Sequence, residues 1–120
     1  MPAYLTHSLG AIMKLKMPTP IEEYVKASNE SNLEVFLSCF AEDATVLDEG
    51  ETITGLDAIT KWFIKTRSKY QFKSLPLAIK DKKEAIILTA EVSGNFPGSP
   101  VILDYHIKIS SGLIQDLKIC

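Results

Sequence analysis

The hydrophobic pattern of this chain changes period once, and that change limits the fold more than any other feature. Before Tyr70 apolar residues recur mainly at helical spacing; after it they alternate with polar ones. The stretch "TPIEEYVKASNESN" offers Thr19 as an N-cap, Pro20 at the first helical position and glutamates in the first turn. Ile21, Tyr24, Val25 and Ser28 then share one helical face. After the polar bend "NESN", "NLEVFLSCF" predicts a second helix, capped by Asn32, with Leu33, Phe36, Leu37 and Phe40 on its apolar side. A strand-like "ATVLD" and a small turn lead to a third helix, "GLDAITKWFIKTRSKY". It is expected to bury Ile59, Trp62 and Phe63 and to expose Lys61, Lys65 and Arg67.

Beyond that helix everything reads as strand. "SLPLAIKD" leads into "KKEAIILTAEVSGN", where Ile86, Leu88, Ala90 and Val92 alternate with Ile87, Thr89 and Glu91. The segment "GNFPGSP" breaks regularity. "VILDYHIKIS" then alternates again, "SG" turns it, and "LIQDLKIC" returns as a hairpin partner. Helices followed by antiparallel strands predict an α+β fold with helices packed on one face of a sheet. Residues 19–120 read as one domain, without an internal repeat or a dividing linker, and residues 1–18 as a loosely ordered extension. In that extension Lys14 and Lys16 follow the apolar patch, the reverse of a signal peptide's order.

Charge and composition narrow the function classes. Thirteen basic residues against fifteen acidic ones leave a net charge of −2, without the basic stripe that nucleic acid requires. No apolar run approaches the ~20 residues needed to span a bilayer, so no membrane partner is expected. Cys39 falls in a helical pattern and Cys120 is the last residue, unlike a disulfide framework, which favours a reducing, cytoplasmic setting. His7 and His106 make no metal-ligand spacing, so no metal is expected.

The run "EEYVKASNESNLEVFLSCFAEDATVLDEG", followed by "ITGLDAITKWF", resembles the nuclear transport factor 2-like superfamily, and within it the SnoaL-like branch of ketosteroid isomerase and polyketide cyclase relatives. The likeness covers residues 19–119. It implies a cone-shaped roll: a strongly bent, mostly antiparallel sheet around a pocket, with the N-terminal helices closing one side. It is specific about fold and broad about activity, since one fold hosts many functions.

Within that frame Asp48 is the first candidate. Ala44, Val46 and Asp48 share one strand face, so an inward Val46 carries Asp48 inward at the strand's end. An apolar surrounding there raises a carboxylate's pKa and makes it a better base near neutral pH. The resemblance places Asp48 where the isomerase has its general base. Tyr24 lies on the buried helical face, and by resemblance donates to the developing oxyanion. The isomerase's third element is a protonated acid in a late strand. Here alternation puts Leu103, Tyr105, Ile107 and Ile109 on the apolar face and Asp104, His106 and Lys108 opposite. Tyr105 occupies the oxyanion position in that register, whereas a bulge would turn Asp104 inward instead. Val46, Trp62, Phe40 and Leu88 are the apolar side chains expected at the ligand, although Trp62 also fits a plain core position.

Asp43 and Asp57 read as structural, the first bonding local amides between helix and strand, the second complementing a helix dipole. Cys39 has no cationic neighbour in its helix and is not expected to be a nucleophile. Two functions fit. One is an enzyme moving a proton next to a carbonyl, with no cofactor, because acid–base and electrostatic catalysis suffice. The other is a non-catalytic module holding a small apolar or carbonyl-containing molecule, or a homodimerisation domain. In either case a homodimer is expected through the outer sheet face bearing Thr89, Glu91, His106 and Lys108.

Overall fold

A computed structural model describes residues 15–120. The extension expected over residues 1–18 therefore lies mostly outside the described residues; within 15–18, Met17 packs against the core. Three helices follow: α1 (Thr19–Glu30), α2 (Leu33–Ser38) and α3 (Leu56–Tyr70). The strands are β1 (Phe40–Asp48), β2 (Glu51–Thr54), β3 (Lys73–Asp81), β4 (Ile86–Ser93), β5 (Val101–Ser110) and β6 (Leu113–Ile119). They form one curved, unclosed sheet in the order β2-β1-β6-β5-β4-β3. Among the described strands only the β1–β6 contact is parallel. Register shifts in β1–β6, β3–β4 and β5–β6 mark irregular places where a sheet can bend around helices. Among the described residues no helix is long and apolar enough to cross a membrane.

Local chemistry explains most boundaries and corrects several expectations. Helix α1 takes Thr19 as a helical residue behind Pro18, with no side-chain cap, so Thr19 does not cap it. Its other end closes on Ser31 in the left-handed region, whose N–H bonds back to Ala27 and Ser28. Asn32 does cap α2, accepting from the Val35 amide at 3.2 Å. That helix is shorter than its apolar pattern implies. Phe40 belongs to β1 and pairs with Ile114 of β6, while the Ile114 amide bonds the Cys39 carbonyl at 2.8 Å. The strand's early start also moves Asp43 into β1, where it accepts from Gln115 at 3.0 Å. Arg67 is half-buried rather than exposed: it donates to the Phe72 carbonyl and to Ser31, and lies 4.5 Å from the Phe72 ring centroid.

The turn after Asp48 opens a hairpin that the sequence reading missed. Glu49 (φ 51°) and Gly50 (φ 79°) form a two-residue loop, and Asp48 pairs with Glu51 across it. Positive φ at both loop positions is the primed-turn condition whose twist matches paired strands. The "SG" turn between β5 and β6 repeats the device with Ser111 and Gly112. Gly94 has a different task. A Cβ there would come within 2.7 Å of the Tyr70 carbonyl oxygen, so only glycine lets the chain leave β4 against the end of α3. The Asn95 amide then bonds that same carbonyl.

The core lies between the helices and the concave sheet face, with Ile21, Ile59, Ile107, Ile114, Leu117, Leu88 and Val46 almost wholly enclosed. At its centre Phe36 packs against Tyr24 of α1, Phe40 of β1 and Phe63 of α3, with ring centroids 5.2, 5.2 and 4.1 Å away. Phe36→Ala is expected to reduce unfolding free energy by about 3–5 kcal/mol in urea titration. Ile64→Ala, at a position 51% exposed, should change it by less than about 0.5 kcal/mol.

Candidate active site

Asp48 reaches the inner side of the sheet because of simple alternation. Ala44 and Val46 are fully buried on that face, and Asp48 is the next residue on it, half-buried where β1 ends. Trp62 of α3 donates its indole N–H to Asp48 Oδ2 at 3.0 Å. Burial raises the Asp48 pKa, the Trp62 hydrogen bond pulls it back, and the charges of Glu49 and Glu51 push it up again. The net direction is upward. A carboxylate so placed holds a proton more readily than one in water.

Two phenols share the space. Tyr24 is 5% exposed and Tyr105 4% exposed, their rings edge-to-face with centroids 6.2 Å apart. Burial lifts the Tyr24 phenol well above its usual range, and Tyr105, Asp48 and Cys39 add to the rise. Burial also raises Tyr105, partly offset by its contact with Ser74 at 3.4 Å, with Asp48 contributing upward. Both therefore stay protonated and serve as hydrogen-bond donors. Ser28, one turn after Tyr24, is buried beside them. Neither the Tyr24 nor the Ser28 hydroxyl has a hydrogen-bond partner among the described residues. Both residues line the same hollow.

That hollow measures about 520 Å³ and is bounded by Tyr24, Asp48, Trp62 and Tyr105 together. Asp104 points the other way. The β4–β5 pairing runs without a shift from Val101 to Ile107, and Asp104 accepts from Thr89 at 2.7 Å on the outer face. Three of the expected wall residues do not line the hollow. Phe40, Val46 and Leu88 do face inward, yet neighbouring side chains cover them completely, so they are core. Trp62 alone of that group borders the space.

Several lining residues were not visible in the pattern. Glu49 and Tyr70 sit at the rim, joined by a hydrogen bond from the Tyr70 hydroxyl to Glu49 Oε1 at 3.1 Å. Tyr70 meets Phe96 edge-to-face at 5.9 Å, bringing the "GNFPGSP" loop to the rim. The available signal was the position of Glu49 directly after an inward acid; nothing local announces Phe96. Cys39, by contrast, plays no part in the hollow. Burial pushes its thiol up to about 11, Glu23 adds to this, and a Ser38 hydrogen bond opposes it.

An acid of raised pKa facing two protonated phenols across an apolar space is a geometry for moving a proton while steadying negative charge on oxygen.

Residues 21–107 match the family model of the SnoaL-like domain. Among solved structures, a candidate polyketide cyclase from Sinorhizobium meliloti is 33% identical, with a TM-score of 0.84 over 87% of this chain and 95% of that one. A protein of ketosteroid isomerase-like fold from Catenulispora acidiphila, solved in complex with trimethylamine, is 18% identical, with a TM-score of 0.76 over 88% and 86%. A candidate ketosteroid isomerase from Kribbella flavida is 13% identical, with a TM-score of 0.72 over 85% and 74%. Among curated proteins none matches the chain.

Because the Asp48 pKa is raised on folding, proton uptake there favours the folded state. Full stabilisation exists below the unfolded value of about 3.9 and is lost as pH rises through the folded value. Asp48→Asn keeps an acceptor for Trp62 and removes the charge. It should raise Tm at pH 8, and the gain over wild type should vanish by about pH 4. A Tm difference that is flat across this range would contradict the burial of the carboxylate.

Proposed function

The chain belongs to the SnoaL-like domain family, and from that membership and the site geometry we propose that it is a small-molecule pocket protein performing cofactor-independent proton transfer next to a carbonyl. The observation that carries this reading is the convergence of Asp48, Tyr24 and Tyr105 on one largely apolar hollow. Asp48 acts as the base that removes a proton beside the carbonyl. Its raised pKa brings it nearer the working pH, where proton acceptance and return are balanced. Tyr24, whose hydroxyl has no protein partner among the described residues, donates to the carbonyl oxygen as negative charge develops there. Tyr105, beside it, supplies a second donor. Asp48 then returns the proton to another carbon, as in isomerisation, or the carbanion closes on a second carbonyl and the alkoxide formed takes the proton back from Asp48, as in aldol-type cyclisation.

A non-catalytic ligand-binding role has one observation in its favour: the Trp62 hydrogen bond engages Asp48 and lowers its basicity. A homodimer through the outward sheet face belongs to both readings. That face carries Thr89, Glu91, His106 and Lys108 beside Ile102, which is 57% exposed. Size-exclusion chromatography with light scattering should then give twice the 13.3 kDa of one chain, and a mass of one chain removes the dimer.

The catalytic reading is tested by following hydrogen–deuterium exchange at the α-carbon of small ketones and enones in D2O. Wild type should accelerate exchange, Asp48→Asn should slow it by about 10²-fold or more, and Tyr24→Phe by about 10²-fold. Binding of phenols without any accelerated exchange, unchanged in Asp48→Asn, would leave the ligand-binding role.

A further inference from the structure

The hollow is unbalanced in charge. Its lining includes two acidic side chains, Asp48 and Glu49, and among the described residues no lysine, arginine or histidine. Eight of its lining residues are aromatic: Tyr24, Phe36, Trp62, Phe63, Tyr70, Phe72, Phe96 and Tyr105. Aromatic faces carry negative potential, so ring-rich walls and acids work in the same direction. An anionic ligand entering here would lose water and meet no cationic side chain among the described lining residues; a cation would meet both carboxylates and aromatic rings. A second observation points to the ligand's other end. Tyr24, 5% exposed, lines the hollow, and its hydroxyl has no hydrogen-bond partner among the described residues, so an acceptor on the ligand would satisfy it.

We propose that the ligand of this hollow is an apolar carbonyl compound bearing a protonated amine, and that Glu49 at the rim is the specificity residue that selects the amine. The carbonyl end lies inside, at Tyr24; the ammonium end lies outward, between Glu49 and the Tyr70–Phe96 corner. The geometry of that corner fits the task. Tyr70 fixes Glu49 through its hydroxyl and meets Phe96 edge-to-face, so a carboxylate and two aromatic rings border the same opening. The Tyr70 ring already serves as a platform for a cation, with the exposed Lys69 Nζ 5.0 Å from its centroid. Lys69 lies outside the hollow's lining and screens Glu49 without occupying the space. The amine assignment builds on the carbonyl reading proposed above, and binding rather than turnover tests it.

The protein contains a single tryptophan, Trp62, and this residue borders the hollow, so its fluorescence reports occupancy. Three probes suffice: a phenyl ketone extended by the same short chain ending in dimethylammonium, methyl or carboxylate. Titration at low ionic strength should rank them in that order, the ammonium compound binding about tenfold more tightly than the carboxylate. Glu49→Gln retains an acceptor for Tyr70 and should reduce that ratio about threefold, as should 0.5 M salt in wild type. Equal affinities, tighter binding of the carboxylate, or a ratio unmoved in Glu49→Gln would overturn the proposal. Absence of quenching by all three probes would overturn it together with the pocket reading. Ammonium-selective binding without α-carbon exchange would uphold it and remove only the proton-transfer reading.

Discussion

The enclosed contacts of one phenylalanine decide where this molecule is solid and where it is hollow. Phe36, 1% exposed, touches rings from α1, β1 and α3, and Trp62 lies 6.1 Å beyond it. These rings seal the closed end of the cone and fix the helices against the sheet. Past them the side chains stop meeting, and the remaining space falls between Tyr24, Trp62 and Tyr105. Close packing on one side is what makes the other side a defined cavity, because rigid neighbours cannot collapse into it.

Asp48 shows how stability and chemistry pull against each other at that boundary. Its position at the end of β1 takes part of its hydration away, and the Trp62 indole N–H and the Glu49 backbone N–H restore only a fraction. A neutral residue would suit the fold better. Carboxylates with pKa values shifted by burial concentrate at functional sites.

Much of this was legible in the residues. The alternation of Ala44, Val46 and Asp48 was enough to turn the acid inward, and that of Leu103, Tyr105 and Ile107 was enough to choose Tyr105 over Asp104 once pairing proved continuous. Alternation, however, reports only a face. It cannot separate Val46 and Leu88, which neighbours cover, from Trp62, which borders open space, because that depends on which elements lie opposite. Strand β2 escaped notice for a local reason: "ETIT" holds a single apolar residue, too few to show a period. Its turn, "EG", is nonetheless the same device as the "SG" that marked the later hairpin. Phe96 and Tyr70 meet across 26 residues of chain, and no local rule links them.

Strand β6 has the final word on assembly. It sits between β1 and β5, so the β1–β2 hairpin shares no backbone ladder with the other three strands except through it. The segment that joins the two halves also follows the other five described strands in sequence. Until it arrives, β1 presents an unpaired edge, and Asp48 and Tyr105 belong to separate pieces of sheet. Such distant pairing makes folding slow and leaves the nascent chain exposed to edge-on association. The walls of the hollow are therefore joined by one seven-residue strand that contributes a single residue, Ile119, to its lining.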